Sequence, residues 1–337
     1  MTPLLWIGFD GLDPEAVPGD LAPGGLIPFG RNLDPDPDQG PARLKRLIDG
    51  LQARWGAELP LAVALDQEGG AVSRLKPWVG ETPTFKALWE QGGPNACEAW
   101  GRLWGTGLRL LGFNVDFAPV ADLWSGIEGT GIGNRAASGD PAAVARAAGA
   151  FLHGLESTGV RGCLKHFPGL GGTQVDSHQA LPELRDDVTL RRNSLPFVAL
   201  SNDDRLVMVA HVKTPATGGL PASLHRGSVA GNPWGVRGRF LPDDLEMGGC
   251  TDWAWEDRVR LCLEAGHEWL LVCQSEQGVR ACAEALSRQP KTLVLPLLER
   301  NRAMRKNLPW PQPGQLDLGD WKAWVADVRI ASGSLLG

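Results

Sequence analysis

Residues 140–178 have the sequence DPAAVARAAGAFLHGLESTGVRGCLKHFPGLGGTQVDSH, in which a helix pattern leads into a strand pattern and then into a glycine-rich loop. The Asp-Pro pair at 140–141 is a typical helix start, and the glycine at 159 is a typical stop. The apolar run GCLKHF, residues 162–167, is strand-like. A helix that passes directly into a strand is one unit of a parallel α/β fold.

The same alternation runs along most of the chain. Strand-like runs occur at LLWIGF (4–9), GLIPFG (25–30), LAVALD (61–66), NVDFAPV (114–120), GCLKHF (162–167), RLVMVAHV (205–212), GRFLP (238–242) and EWLLVC (268–273). Helix-like stretches lie between them at 41–56, 96–112, 140–159, 189–201, 252–266 and 276–288. Eight such strands predict an α/β fold, a (β/α)8 TIM-type barrel with room for one irregular strand. The alternative, an open doubly wound sheet, lacks its usual G-x-G-x-x-G after the first strand.

The domain organisation follows from the length and from the C-terminal segment. A chain of 337 residues is within the range of a single barrel. The segment NLPWPQPGQLD, residues 307–317, is a Pro-rich connector, and the helix-like DWKAWVADVRIASG follows it. No internal repeat is visible, so residues 1–337 are predicted to form one catalytic barrel domain with a terminal helix.

Composition excludes several classes of function. The net charge of -6 does not favour a nucleic-acid partner. The sequence has no apolar run near the roughly 18 residues of a membrane helix, so no membrane partner is expected. The first apolar run ends at Asp10, which is too short for a signal peptide. Six cysteines without a C-x-x-C pair are typical of reduced core thiols. We therefore expect a cytoplasmic protein.

Charged and polar groups follow several of the predicted strands. They occur in DQEGGAVSRL (66–75), in PVADL and GIGNRAASGDP (119–123 and 131–141), in the loop that ends at 178, at the histidine at 211, and in DDLEM (243–247). In a barrel of this type, functional groups lie at the carboxyl ends of the strands and in the loops that follow. The sequence therefore predicts a site at this end of the barrel.

Asp176 and His178 stand two residues apart in the glycine-rich loop. A carboxylate beside an imidazole can orient the ring and tune it as an acid and base near neutral pH. The alternative is a local Asx turn with an exposed histidine. The chain has no His-x-x-x-His pair on a helix, so neither a metal nor another cofactor is predicted.

Two strand ends carry further candidates. Asp243 and Asp244 follow an apolar strand, and alternation lets only one of them face the barrel mouth. That aspartate is a candidate nucleophile toward an electrophilic carbon, and the alternative is a buried helix cap. Lys165 and His166 end another strand, where either can donate hydrogen bonds to hydroxyls. Alternation points them in opposite directions unless the backbone twists before Pro168.

Five sequence blocks carry a resemblance to a known family. They are DQEGGAVSRL, LGFNVDFAPVADL, GIGNRAASGDP, KHFPGLGGTQVDSH and DDLEM. Their order resembles glycoside hydrolase family 3, and is most similar to its single-domain, NagZ-type β-N-acetylglucosaminidases. The resemblance extends over roughly residues 4–285, and the KHFPG…DSH block is its most specific part.

The resemblance implies a role for each matching residue. Asp243 matches the catalytic nucleophile, and His178, held by Asp176, matches an unusual acid/base on a mobile loop. The remaining matches are sugar contacts, namely Asp66, Arg74, Arg135, Lys165 and His166.

The implied activity is exo-acting, retaining hydrolysis of terminal β-linked N-acetylglucosamine through a covalent glycosyl-aspartate. The expected partner is a carbohydrate, such as an N-acetylglucosamine-containing glycan or a muropeptide from cell-wall recycling. Alternatives are a phosphorylase on the same scaffold, a β-glucosidase-like specificity, and a sugar-binding homologue without turnover.

The sequence departs from the family pattern at four positions. The family loop PGHGDT is PGLGGT here, with Leu170 and Gly172, while Pro242 precedes Asp243 and Ala71 replaces a common basic residue. These departures affect the expected loop closure and substrate preference, and they leave the proposed catalytic groups in place.

Overall fold

The computed structural model describes residues 2–126, 131–177, 179–311 and 313–336. Its strands are β1 Leu5–Ile7, β2 Gly25–Leu26, β3 Ala62–Leu65, β4 Gln67–Gly69, β5 Val72–Ser73, β6 Val115–Asp116, β7 Arg161–Phe167, β8 Leu206–Val209, β9 Arg239–Pro242 and β10 Leu270–Val272. Its helices are α1 Gly40–Trp55, α2 Lys76–Val79, α3 Phe85–Leu111, α4 Pro141–Glu156, α5 Asp187–Leu200, α6 Trp255–Ala265, α7 Glu276–Ser287, α8 Lys291–Lys306 and α9 Leu318–Leu336. None of the described helices is long and apolar enough to cross a membrane.

Eight strands form one parallel sheet that is nearly closed on itself. The order is β10-β1-β2-β3-β6-β7-β8-β9. Between the two ends of this order, the backbone N–H of Glu268, which stands two residues before β10, donates to the carbonyl oxygen of Phe240 in β9 at 2.9 Å. Each predicted strand has a counterpart here, so the (β/α)8 TIM-type prediction is confirmed. Two of these strands, β2 and β6, are only two residues long.

The strands alternate between two buried layers, as the two-residue period of a strand requires. On β1, Leu5 and Ile7 face the layer between the barrel and the helices, whereas Trp6 faces the barrel interior. A Cβ on Gly25 would lie 2.5 Å from Cδ1 of Trp6, so only glycine fits beside that ring. This glycine thus leaves room for the indole of Trp6 in the interior.

Several elements go beyond what the sequence patterns predicted. The strands β4 and β5 form an antiparallel hairpin outside the barrel order, and Gly69 and Gly70 turn it with φ of +103° and +55°. Helices α2 and α8 were also not predicted. Helix α8 continues through Pro296 and buries Val294 and Leu297, so tertiary packing offsets the hydrogen bond that proline removes.

The C-terminal helix α9 packs against α3. The indole N–H of Trp324 donates to the carbonyl oxygen of Leu103 at 2.7 Å, and Trp324 lies 6.0 Å from Trp104 between ring centroids. The described residues between 307 and 317 contain no helix or strand. The single catalytic domain stays a prediction.

A buried histidine before β10 leads to a prediction of pH-dependent stability. His267 is fully buried, its Nε2 donates to the carbonyl oxygen of Ser223 at 2.7 Å, and burial lowers its pKa to about 4. An unfolded histidine titrates near 6.5, so between pH 6.5 and 4 the unfolded chain binds a proton that the folded chain does not. Stability therefore rises with pH in this window and is lost as pH falls, by about 3 kcal/mol from this group.

Urea unfolding at pH 7 and pH 4 checks this expectation. Between pH 7 and pH 4, the unfolding free energy of the variant His267→Gln should fall by about 3 kcal/mol less than that of the parent protein. An identical pH dependence in the two proteins would contradict it.

Candidate active site

A cavity of about 320 Å³ opens at the carboxyl ends of the barrel strands. The residues that line it are Ile27, Phe29, Asp66, Glu68, Val72, Arg74, Phe117, Arg135, Lys165, His166, Met208, Asp243, Asp244, Met247, Leu271, Cys273 and Gln274. Its apolar members include Phe117, Met208 and Leu271, which belong to the barrel interior. The cavity therefore combines an apolar floor with a ring of charged groups.

A buried ionic cluster occupies one side of the cavity. The Nζ atom of Lys165 lies 2.9 Å from Oδ1 of Asp66 and 2.6 Å from Oε1 of Glu68. Glu68 also accepts two hydrogen bonds from Arg135, each 2.8 Å long, in a bidentate pair. The side chains of Lys165 and Glu68 are only 2% and 3% exposed. Buried charges of this kind persist only when they are paired.

The electrostatics keep this cluster ionised. Burial alone would raise the pKa values of Asp66 and Glu68, but the cations beside them outweigh it and hold both pKa values below the usual range. Burial would lower the pKa of Lys165, yet the two carboxylates raise it instead. The cavity thus presents fixed charged donors and acceptors, which suit the hydroxyl groups of a sugar.

Arg74 extends the cluster toward the cavity edge. Its Nη2 lies 3.5 Å from Oδ2 of Asp66, and its guanidinium carbon lies 5.3 Å from the ring centroid of Phe29. The guanidinium of Arg31 approaches the same ring, at 5.0 Å. The aromatic face thus helps to orient Arg74 beside the cavity.

His166 is held by a buried aspartate. Its Nδ1 lies 2.6 Å from Oδ2 of Asp122, which is fully buried and also accepts from the backbone N–H of His166. The other oxygen of Asp122 accepts from the backbone N–H of Leu170 at 2.8 Å. One carboxylate therefore fixes both the imidazole and the start of the following loop, with Nε2 left as the ring nitrogen for a ligand.

Lys165 and His166 both line the cavity, although strict strand alternation predicted opposite directions. The peptide bond between them is cis, and the ladder between β7 and β8 shifts register between Leu164 and Phe167. The register shift is a backbone irregularity before Pro168, the condition under which both side chains can face the same way.

Asp243 and Asp244 both line the cavity. The two carboxylates differ in the hydrogen bonds that they accept. Oδ1 of Asp243 accepts from the backbone N–H of Asp244 at 2.8 Å, and no described residue donates to its Oδ2. Both oxygens of Asp244 are occupied by donors, from Glu246, Cys273 and Gln274. Burial raises the pKa of Asp244.

The predicted pair Asp176 and His178 is only partly described, because His178 lies outside the described residues. Asp176 does not line the cavity. Its carboxylate lies against Gly131, where an added Cβ would come within 3.0 Å of Oδ1. The carbonyl oxygen of Gly131 accepts from Arg135 at 2.6 Å, so the loop of Asp176 meets the segment that carries Arg135.

Sequence reasoning missed Glu68 and Asp122 as site residues. Glu68 joins Lys165 to Arg135, and Asp122 holds His166. A signal was available for Glu68, because a lysine at the end of a buried strand needs a counter-charge and an acid two residues from Asp66 can contribute to it.

The loop departures also have structural explanations. Leu170 is 5% exposed and packs in the hydrophobic core, while Gly172 has φ of +90°, a conformation that favours glycine. Among the described residues, no group of three or more His, Cys, Asp or Glu side chains is placed to hold a metal.

A family model, the Glycosyl hydrolase family 3 N terminal domain, matches residues 18–300. This chain belongs to glycosyl hydrolase family 3. Membership makes it a glycoside hydrolase.

Similar proteins in this family carry related names. A Beta-hexosaminidase from Pseudomonas aeruginosa is 34% identical over 276 residues, which is 79% of each chain. A solved family 3 beta-N-acetylglucosaminidase from Paenibacillus sp. str. FPU-7 superposes with a TM-score of 0.85 at 29% identity, covering 98% of this chain and 68% of that one. NagZ from Neisseria gonorrhoeae, in complex with N-trifluoroacetyl-D-glucosamine, has a TM-score of 0.79 at 26% identity, covering 99% and 98%.

Proposed function

We propose that this protein is an exo-acting, retaining β-N-acetylglucosaminidase that removes terminal β-linked N-acetylglucosamine. The observation that carries the proposal is that one cavity combines the Asp243 carboxylate, with an oxygen to which no described residue donates, and a charged cluster suited to sugar hydroxyls. The cavity volume of about 320 Å³ is near the lower end of the volumes of small-molecule sites, which range from roughly 300 to 1,000 Å³. That size favours one terminal sugar. The names of the similar proteins supply the sugar class.

The proposed mechanism begins with Asp243 as the nucleophile. Its carboxylate attacks the anomeric carbon and forms a covalent glycosyl-aspartate, while His178, oriented by Asp176, donates a proton to the leaving oxygen. In the second step the same imidazole deprotonates water, which releases the sugar. Retaining enzymes usually employ two carboxylates, so a His–Asp pair departs from that template.

The charged cluster contributes positioning. Glu68 holds Lys165 and Arg135, and Lys165 in turn holds Asp66, so their polar atoms are already oriented before a sugar arrives. We propose that they bind its hydroxyls together with Arg74 and His166. Pre-organised contacts at the non-reacting end of a substrate lower the entropic cost of aligning its reactive carbon with a nucleophile.

An aryl-glycoside panel, assayed with and without phosphate, tests the proposal. Phenol release from an aryl β-N-acetylglucosaminide without phosphate, much faster than from an aryl β-glucoside, is the expected result. A faster β-glucoside would indicate β-glucosidase specificity. Sugar 1-phosphate that forms only with phosphate would indicate a phosphorylase. Binding without any product would indicate a sugar-binding homologue.

The acid role of His178 gives a separate expectation. The variant His178→Ala should lose about 10²- to 10⁴-fold in kcat on substrates with poor leaving groups, because these need a proton in the transition state. Activated aryl glycosides need little protonation and should lose far less in the first step. Steady-state kinetics on a nitrophenyl glycoside and on a disaccharide measures the difference. Equal losses of kcat/KM on both substrates would contradict the acid role, because kcat/KM reports the first chemical step and not the later attack by water.

The finer parts of the proposal are a cytoplasmic location, a role in recycling cell-wall fragments such as muropeptides, and a single catalytic domain. All six cysteines are free and buried, which agrees with a reducing compartment. Cell fractionation and turnover of muropeptides test the first two.

A further inference from the structure

The turn that carries Asp243 and Asp244 is hydrogen-bonded to the end of β8 and to the residues that follow β8. The backbone N–H of Asp243 donates to the carbonyl oxygen of Val209 at 3.0 Å. Two residues further along, Nε2 of His211 lies 2.9 Å from the carbonyl oxygen of Asp244. A short piece of one strand end thus holds both sides of the two-residue turn.

The imidazole of His211 is itself held in one orientation. A carbonyl oxygen only accepts hydrogen bonds, so Nε2 carries the hydrogen that reaches Asp244. On the other side of the ring, Nδ1 lies 2.6 Å from Oγ of Ser223 and 3.2 Å from Sγ of Cys250. The side chains of His211 and Ser223 are both fully buried. Every polar atom of this ring therefore has a partner.

The packing around His211 leaves it little freedom. A Cβ on Gly249 would come within 2.7 Å of Cβ of His211, so the chain passes that close only because it has glycine there. Nothing in the proposed mechanism employs His211, and it does not line the cavity. Its contact with the turn is made through the backbone carbonyl oxygen of Asp244.

We propose that His211, oriented by Ser223, is a positioning residue that keeps the carboxylate of Asp243 aimed at the anomeric carbon. The proposal rests on the nucleophile role proposed for Asp243. It differs from ordinary core packing because the hydrogen bond ends on the turn of the nucleophile, and a shift of about 1 Å at a reacting group can cost about 10²-fold in rate.

Kinetics of four variants on an aryl β-N-acetylglucosaminide test this. His211→Leu should lower kcat by about 10²-fold with KM close to the parent value, because the charged cluster that would hold the sugar is untouched. His211→Gln restores an N–H that can reach the carbonyl oxygen of Asp244 and should recover much of that loss. Ser223→Ala should lower kcat by a smaller factor.

The matched control is Asn301→Leu. Asn301 is equally buried and also donates to backbone carbonyls, but these belong to Pro3 and Glu268 and not to the turn or to Ser223. Its kcat should stay near the parent value even where its melting temperature falls as far as that of His211→Leu. Equal kcat losses in these two variants, or a loss for His211→Leu that appears in KM, would overturn the proposal.

Each remaining outcome also supports or overturns either the positioning role or the proposed function. If His211→Leu does not fold, Ser223→Ala carries the test, with a lower kcat at unchanged KM supporting the proposal and a parent-like kcat overturning it. Absence of turnover by the parent protein on the whole panel would overturn the proposed function. A parent-like kcat for His211→Leu, with the parent active, would overturn the positioning role alone.

Discussion

Replacing Asp243 with alanine is expected to lower kcat by about 10⁴-fold or more while the protein stays folded. The carboxylate has one oxygen with no described donor, and it lines the cavity. It makes one short hydrogen bond to the backbone N–H of Asp244, so its removal costs little stability. Steady-state kinetics on an activated aryl glycoside, with circular dichroism for folding, measures both effects.

Asp244→Asn is the matched control for this prediction. Asp244 sits beside Asp243, but its oxygens already accept from two backbone N–H groups and from Gln274. An asparagine retains one acceptor oxygen and nearly the same shape, so we expect a modest loss of kcat. If Asp243→Ala kept its activity and Asp244→Asn lost it, the nucleophile would have to be reassigned to Asp244.

Replacing Lys165 with methionine is expected to destabilise the fold and to abolish most activity. The change leaves Asp66 and Glu68 facing each other with Arg74 and Arg135 as their remaining described partners. Breaking a buried ion pair from one side costs roughly 3–5 kcal/mol of unfolding free energy. Loss of pre-organised sugar contacts should lower kcat/KM by about 10²-fold or more. Denaturant unfolding and steady-state kinetics provide the two measurements.

The control for Lys165→Met is an exposed ion pair with a similar distance between nitrogen and oxygen. Nζ of Lys76 lies 2.6 Å from Oε1 of Glu81, but these side chains are 49% and 67% exposed. Lys76→Met should therefore cost less than about 1 kcal/mol and leave the kinetics unchanged. Similar losses of stability in the two variants would show that burial is not what makes the Lys165 cluster important.

Much of the fold could be predicted from local patterns. Runs such as LAVALD and RLVMVAHV are short and apolar, and the helix between 140 and 159 has clear start and stop signals. These signals depend only on neighbouring residues, so they survive in a single sequence. Helix α8 was missed because an internal proline contradicts the local pattern and long-range packing overrides it.

The structure describes all of the predicted site residues except His178. Asp66, Arg74, Arg135, Lys165, His166 and Asp243 all line one cavity. Asp176 lies outside its lining, beside the segment of Arg135, and His178 is not among the described residues. The roles of all eight remain predictions, and the variants above are designed to test them.

By itself, the sequence determined the order of strands and helices, the barrel class, and the strand ends that carry charged groups, because each depends on periodicity within a few residues. Only the tertiary structure decided which groups meet. Lys165 and Asp66 are 99 residues apart in sequence, and their contact depends on the register between parallel strands. Other contacts also join residues that are far apart in sequence. Glu68 contacts Lys165 and Arg135, Asp122 contacts His166, and His211 contacts the turn that carries Asp243. Side-chain partners across a barrel are set by the closure of the whole sheet, which no local pattern encodes.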